Sequence, residues 1–140
     1  MVRLTRRWTL RLAAALIGAV ASLGVAAPGH ATPACSLIYQ VNASWGGPVP
    51  GFQAQINLRN TGTTPTTSWR VTLTMPDGVR IVYPHGGIRF TVLPPSTYLF
   101  DNQPWNAVLP PNTGVWFGFT ATKASPDLPN TPVRVTCAVT

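Results

Sequence analysis

Acidic residues are nearly absent from this chain. Its 140 residues include three aspartates, Asp77, Asp101 and Asp127, and no glutamate. Acid–base hydrolysis at a single bond ordinarily takes a convergent pair of acidic and basic groups, most often carboxylates. Here one aspartate lies in a Pro-Asp-Gly turn, one beside Asn102 at a strand end, and one in a proline-rich loop. They are not expected to converge, so no catalytic residue is assigned and the chain does not read as an enzyme. Lysine is equally scarce, with Lys123 the only one. With no Glu, a single Lys and no apolar pattern of helical period, a helical fold is excluded. Clusters of basic residues are missing beyond the first eleven positions, which argues against a nucleic-acid partner.

The N-terminal stretch is a different kind of sequence. Arg3, Arg6, Arg7 and Arg11 precede an apolar run from Leu12 to Ala27, and small residues follow up to Gly29-His30-Ala31. That order of basic, apolar and small-residue regions predicts a signal peptide over residues 1–31, cut after Ala31. The run is short for a bilayer span, and no second candidate follows. The expectation is a secreted, extracellular protein with no membrane span after cleavage. The full chain carries +7. Residues 32–140 keep six basic residues against the three acids, a net +3, and at 109 residues are expected to form one domain.

That domain is rich in Thr, Val, Pro, Asn and Gly, a composition suited to an all-β extracellular fold. Alternation is clean where Phe52, Ala54, Ile56 and Leu58 oppose Gln53, Gln55, Asn57 and Arg59. It recurs in Trp69, Val71, Leu73 and Met75, in Val115, Phe117 and Phe119, and in Val133, Val135, Cys137 and Val139. Weaker strand signals cover Ser36 to Asn42, Val79 to Tyr83, Ile88 to Leu93 and Thr97 to Asp101, and Ser125 to Pro132 reads as a loop. Seven to nine short strands of period 2 predict an antiparallel β-sandwich. Cys35 and Cys137 sit near the two ends of the domain. In an oxidising compartment they read as one disulfide, with two buried free thiols as the competing reading.

Four tryptophans lie in the domain. Trp69 is in phase with Val71 and Leu73 and reads as core. Trp45 and Trp105 fall among Asn, Ser, Gly, Gln and Pro rather than in an apolar stripe. Trp116 is out of phase with Val115, Phe117 and Phe119, so it faces outward, on the side expected to hold Gln53, Gln55 and Asn57. Flat aromatics beside amides suit a sugar: the ring stacks on its apolar face, and amides bond to its hydroxyls.

With those residues in view, the chain resembles the family 2 carbohydrate-binding modules, the bacterial cellulose-binding type. The resemblance rests on VNASW and the later GF (Val41 to Phe52), NLRNTG (Asn57 to Gly62), SWRVTLTMPDG (Ser68 to Gly78), NQPWNAVLPPNTGVWFGFT (Asn102 to Thr120) and the bracketing Cys35 and Cys137. It implies an Ig-like or jelly-roll sandwich presenting a flat strip of three tryptophans to crystalline cellulose. The first corresponds to Trp45 and the third to Trp105. The second falls near His85, where this chain reads Val82-Tyr83-Pro84-His85. The middle tryptophan is thus missing, leaving Tyr83 or His85 to stack and Trp116 to compensate. The longer loop Gly46 to Pro50 is a further departure, expected to tilt Trp45. The family's amide positions correspond to Asn42, Gln55 and Thr120, and Gln103 lies beside Trp105.

The expected function is that of a non-catalytic module adsorbing to an insoluble β-linked polysaccharide, with cellulose first and chitin or xylan next. The expected site is Trp45, Trp105, Trp116, Asn42, Gln55, Gln103, Tyr83 and His85, in a monomer without metal or cofactor. Two alternatives stand beside it. One is a structural or adhesive sandwich whose sugar site has decayed. The other is a copper-dependent polysaccharide oxygenase, ligated by an N-terminal His30 and by His85; it requires a cut after Gly29, next to Pro28, instead of after Ala31.

Overall fold

The computed structural model describes residues 34–140. The expected signal peptide and His30 lie outside the described residues. Eight strands follow in order: β1 (Cys35–Trp45), β2 (Gly51–Asn60), β3 (Trp69–Thr74), β4 (Val79–His85), β5 (Arg89–Leu93), β6 (Thr97–Asp101), β7 (Gly114–Lys123) and β8 (Arg134–Val139). A single 3-10 turn, Pro104–Asn106, interrupts the connection between β6 and β7. The strands form two four-stranded sheets, a front sheet ordered β1-β2-β7-β4 and a back sheet ordered β5-β6-β3-β8. Every pairing is antiparallel, as the period-2 pattern predicts.

Alternation places the core. Phe52, Ala54, Ile56 and Leu58 of β2 are sealed from solvent, as are Phe117 and Phe119 of β7 and Val71 and Leu73 of β3. Burying such side chains contributes about 1.5–3 kcal/mol each. Aromatic rings join the layers: Trp69 stacks on Phe117 at 5.5 Å, and Phe100 of the back sheet touches both Phe117 and Phe119. Trp69 is the core tryptophan its phase implies, and its Nε1 donates to the Asn106 carbonyl at 2.8 Å. One position departs from the pattern. Val133 is in phase with Val135 but precedes β8 and is exposed; its amide still bonds to Thr74 O, so backbone pairing rather than apolar burial holds it.

Cys35 and Cys137 are joined in a disulfide that links β1 of the front sheet to β8 of the back sheet. The two free edges of the front sheet share another feature. β1 is bulged between Val41 and Ala43, and β4 between Ile81 and Tyr83. Each bulge flips the phase of its strand. In β1 this carries Trp45 onto the outer face with Ala43, and in β4 it carries Tyr83 and His85 outward after buried Ile81.

Candidate functional site

The outer face of the front sheet can be built row by row from its register, because directly opposed residues in antiparallel strands project to the same side. The first row runs Trp45, Gly51, Thr122, Arg80 across β1, β2, β7 and β4. The second runs Ala43, Gln53, Thr120, Tyr83, and the third Gln40, Gln55, Gly118, His85. The fourth holds Ile38, Asn57 and Trp116. Trp116 thus stands on the expected side, directly opposite Asn57.

Glycines underlie three of the rings. A Cβ at Gly51 would come 2.8 Å from Trp45 Cζ2, and one at Gly118 would come 2.5 Å from His85 Cε1. A Cβ at Gly87, just beyond β4, would come 2.5 Å from Trp105 Cζ2. Gly87 also has a positive φ of 66°, which favours glycine on its own account. Trp45, His85 and Trp105 therefore lie over β2, β7 and the extension of β4 in turn, at successively later rows. They form an oblique line across the sheet. Gly51 pairs with Thr122, four residues from Gly118, so the first step along the strands is roughly 13 Å.

Local structure fixes each ring. The Trp45 indole donates to Val49 O at 3.2 Å, so the Gly46 to Pro50 loop folds against it, and it is the least exposed of the three outer tryptophans at 41%. Trp105 sits on the 3-10 turn and is 73% exposed. Asn106 anchors that turn: its Oδ1 accepts from Gln103 N at 2.7 Å, and its Nδ2 donates to Gly87 O at 3.2 Å. Trp116 is 51% exposed and stands beside the line rather than on it.

Amides fill the space between rings. Gln55 Nε2 donates to Gln40 Oε1 at 3.2 Å, and Gln53 Nε2 donates to Thr120 Oγ1 at 3.4 Å. Asn57 Nδ2 donates to Val115 O at 3.4 Å. These lateral bonds hold the amides across the strands while their remaining lone pairs and N–H groups face solvent. Asn42 is exposed in the β1 bulge, at the margin of this array, and Gln103 begins the turn that carries Trp105. The face thus brings together Trp45, Trp105, Trp116, Gln55, Tyr83 and His85, with Asn42 and Gln103 at its rim. The sequence reading missed Gln40 as the partner of Gln55 and Asn106 as the clamp under Trp105. It also missed the glycines beneath the rings, although Gly118 between Phe117 and Phe119 is a glycine in outward phase.

The face carries no aspartate. Asp101 is paired with Arg70 on the back sheet at 2.6 Å, and Asp77 and Asp127 lie in connections. Among the described residues no group of three His, Cys, Asp or Glu side chains is placed to hold a metal ion.

A family model described as cellulose binding domain matches residues 35–139. Over 97 residues the chain is 35% identical to a lytic cellulose monooxygenase of Streptomyces ambofaciens, an overlap of 68% of this chain and 25% of that one. The chain spans a quarter or less of the length of the curated relatives it matches. Among solved structures, the cellulose-binding family 2 carbohydrate-binding domain of ScLPMO10C superposes with a TM-score of 0.59 at 32% identity, covering 78% of this chain and 99% of that one. The chitin-binding domain of Chi18aC from Streptomyces coelicolor gives a TM-score of 0.58 at 25% identity, covering 74% and 89%.

Proposed function

Because the chain belongs to the cellulose-binding domain family that residues 35–139 match, and is therefore a carbohydrate-binding module, we propose that it is secreted and adsorbs without catalysis to an insoluble β-linked polysaccharide. Cellulose is the first candidate, with chitin and xylan next. Trp45, His85 and Trp105 stack on pyranose faces spaced more than one sugar apart along the oblique line, and Trp116 and Tyr83 widen the platform. Gln55, Asn42 and Gln103 bond to hydroxyls at the edges of the polymer. The observation that carries this reading is the line of three rings across the front sheet, seated over Gly51 and Gly118 within it and over Gly87 just beyond β4.

A polymer ribbon offers a repeating apolar face, and a sheet surface with rings in line meets several sugars without either partner bending. Binding then avoids much of the ordering cost that a flexible site would incur. The polar atoms already bonded laterally leave few groups to desolvate unpaired.

The test is depletion of the protein from solution by microcrystalline cellulose, chitin and insoluble xylan, beside a Trp45→Ala/Trp105→Ala double variant. Adsorption to one polymer, reduced about ten- to hundredfold in the variant by the loss of two aromatic contacts, names the ligand. Failure to adsorb to any of the three overturns the reading for those polymers. The intact mass of the secreted protein checks the cut after Ala31.

A further inference from the structure

The front face carries two guanidiniums and no carboxylate. Arg80 stands at the β4 edge in the row of Trp45, opposite Thr122. Arg59 stands at the other end of β2, opposite Ser36 and Gly114. Both are exposed and both alternate with buried neighbours, Val79 and Ile81 in one case and Leu58 and Asn60 in the other. The ion pair found among the described residues, Arg70 with Asp101, belongs to the back sheet.

Their placement relative to the rings is the informative point. The line from Trp45 on β1 to Trp105 beyond β4 crosses the sheet obliquely and divides its face in two. Arg80 lies on one side of that line and Arg59 on the other. In a β-1,4-linked chain each sugar is turned half a turn from the last, so successive C6 groups leave opposite edges of the ribbon. A ribbon lying along the rings therefore directs C6 substituents toward both arginines. Beside Arg80 a hollow of about 430 Å³, bounded by Pro48, Pro50, Thr122 and Ala124, leaves room for such a group. A planar guanidinium pairs with a carboxylate through two parallel hydrogen bonds, so a carboxylate is the substituent this arrangement fits.

We propose that the front face recognises carboxylated β-linked glycans, with Arg59 and Arg80 as the residues that set this preference. The proposal rests on the polysaccharide-adsorption reading above and adds the class of substituent. The back sheet supplies an internal control, since Arg89 and Arg134 are exposed there on the outer face of the other sheet.

The experiment compares adsorption to C6-carboxylated cellulose fibrils and to unmodified fibrils of the same origin, at low salt. The expected result is an affinity about fivefold higher for the carboxylated fibrils, the size of two exposed charge pairs. High salt removes the preference, because exposed charges are screened. Arg59→Gln/Arg80→Gln abolishes it while leaving adsorption to unmodified fibrils unchanged, and Arg89→Gln/Arg134→Gln retains it. Equal adsorption of the wild type to both fibrils overturns this proposal alone. So does an equal loss of preference in the two double variants, which assigns the effect to net charge. Adsorption to neither fibril overturns the underlying reading as well.

Discussion

The two outer faces of this sandwich obey the same period and carry different kinds of side chain. The back face runs in rows of Arg89, Asp101, Arg70 and Ala138, then Thr91, Leu99, Thr72 and Thr136, then Leu93, Thr97, Thr74 and Arg134. Its groups largely satisfy one another: Arg70 forks onto Asp101 through two hydrogen bonds, and the Thr74 and Thr97 hydroxyls meet at 3.3 Å. β-branched threonines in such positions are what a strand exposed to water prefers. The front face replaces them with rings over glycines and with amides. Glycine weakens a strand and an exposed indole gains nothing from water, so local stability does not account for that choice. The difference teaches that alternation identifies the outward residues of both sheets, and that departure from good strand formers singles out the front sheet as the candidate site.

Removing the covalent tie between the sheets breaks the comparison most severely. The Cys35–Cys137 bond closes a separation of 102 residues. For a loop of that order, the chain-entropy treatment gives about 4–5 kcal/mol, so Cys35→Ser/Cys137→Ser loses about that much stability in denaturant titration. Next in size is a substitution at the centre of each face. A Cβ at Gly118 would come 2.6 Å from the Ala54 carbonyl oxygen as well as against His85, so Gly118→Val costs about 2 kcal/mol of overpacking strain and displaces the middle ring. Its counterpart Thr72→Val on the back sheet changes stability by no more than about 0.5 kcal/mol. Melting temperatures and cellulose depletion for the pair decide whether the two faces differ as described.

Smaller effects sharpen the contrast. His85→Ala weakens adsorption about three- to tenfold, the scale of one aromatic contact, with little change in melting temperature; Thr136→Ala changes neither. The smallest effect concerns pH. Burial pushes the Tyr39 phenol above its ordinary value of 10.0, and its hydroxyl donates to Asn130 O at 2.6 Å. The folded state thus holds this proton more tightly than the unfolded chain. The stability it contributes is present in full below pH 10.0 and is lost as pH rises toward the higher folded value. Melting temperature should fall over that alkaline range, and Tyr39→Phe should flatten the fall.

Much of the fold was readable because alternation is a local signal. Phe52 to Leu58 and Trp69 to Met75 announced which side was core, and Trp116 announced itself by being out of step with Phe117 and Phe119. Val133 misled the same reasoning, since phase does not tell where a strand begins. The site was legible as residue types and not as an arrangement. Nothing local indicates that the bulges at Val41/Ala43 and Ile81/Tyr83 rotate Trp45, Tyr83 and His85 onto one face. Nor does sequence spacing reveal that Gly87 and Trp105, eighteen positions apart in the chain, are in contact. Those are long-range facts, set by how β4 returns against β7 and by the reach of Asn106.

The bulges have a second consequence, which concerns crowding. A module that adsorbs side by side on a fibre brings the free edges of neighbouring front sheets together at high local concentration, the condition under which strands of separate molecules pair and proteins aggregate. Both free edges of that sheet are interrupted by a bulge, and β4 also carries Pro84, which has no amide hydrogen to offer a neighbour. The irregularities that turn Trp45, Tyr83 and His85 outward therefore also blunt both edges against pairing with the strands of another molecule.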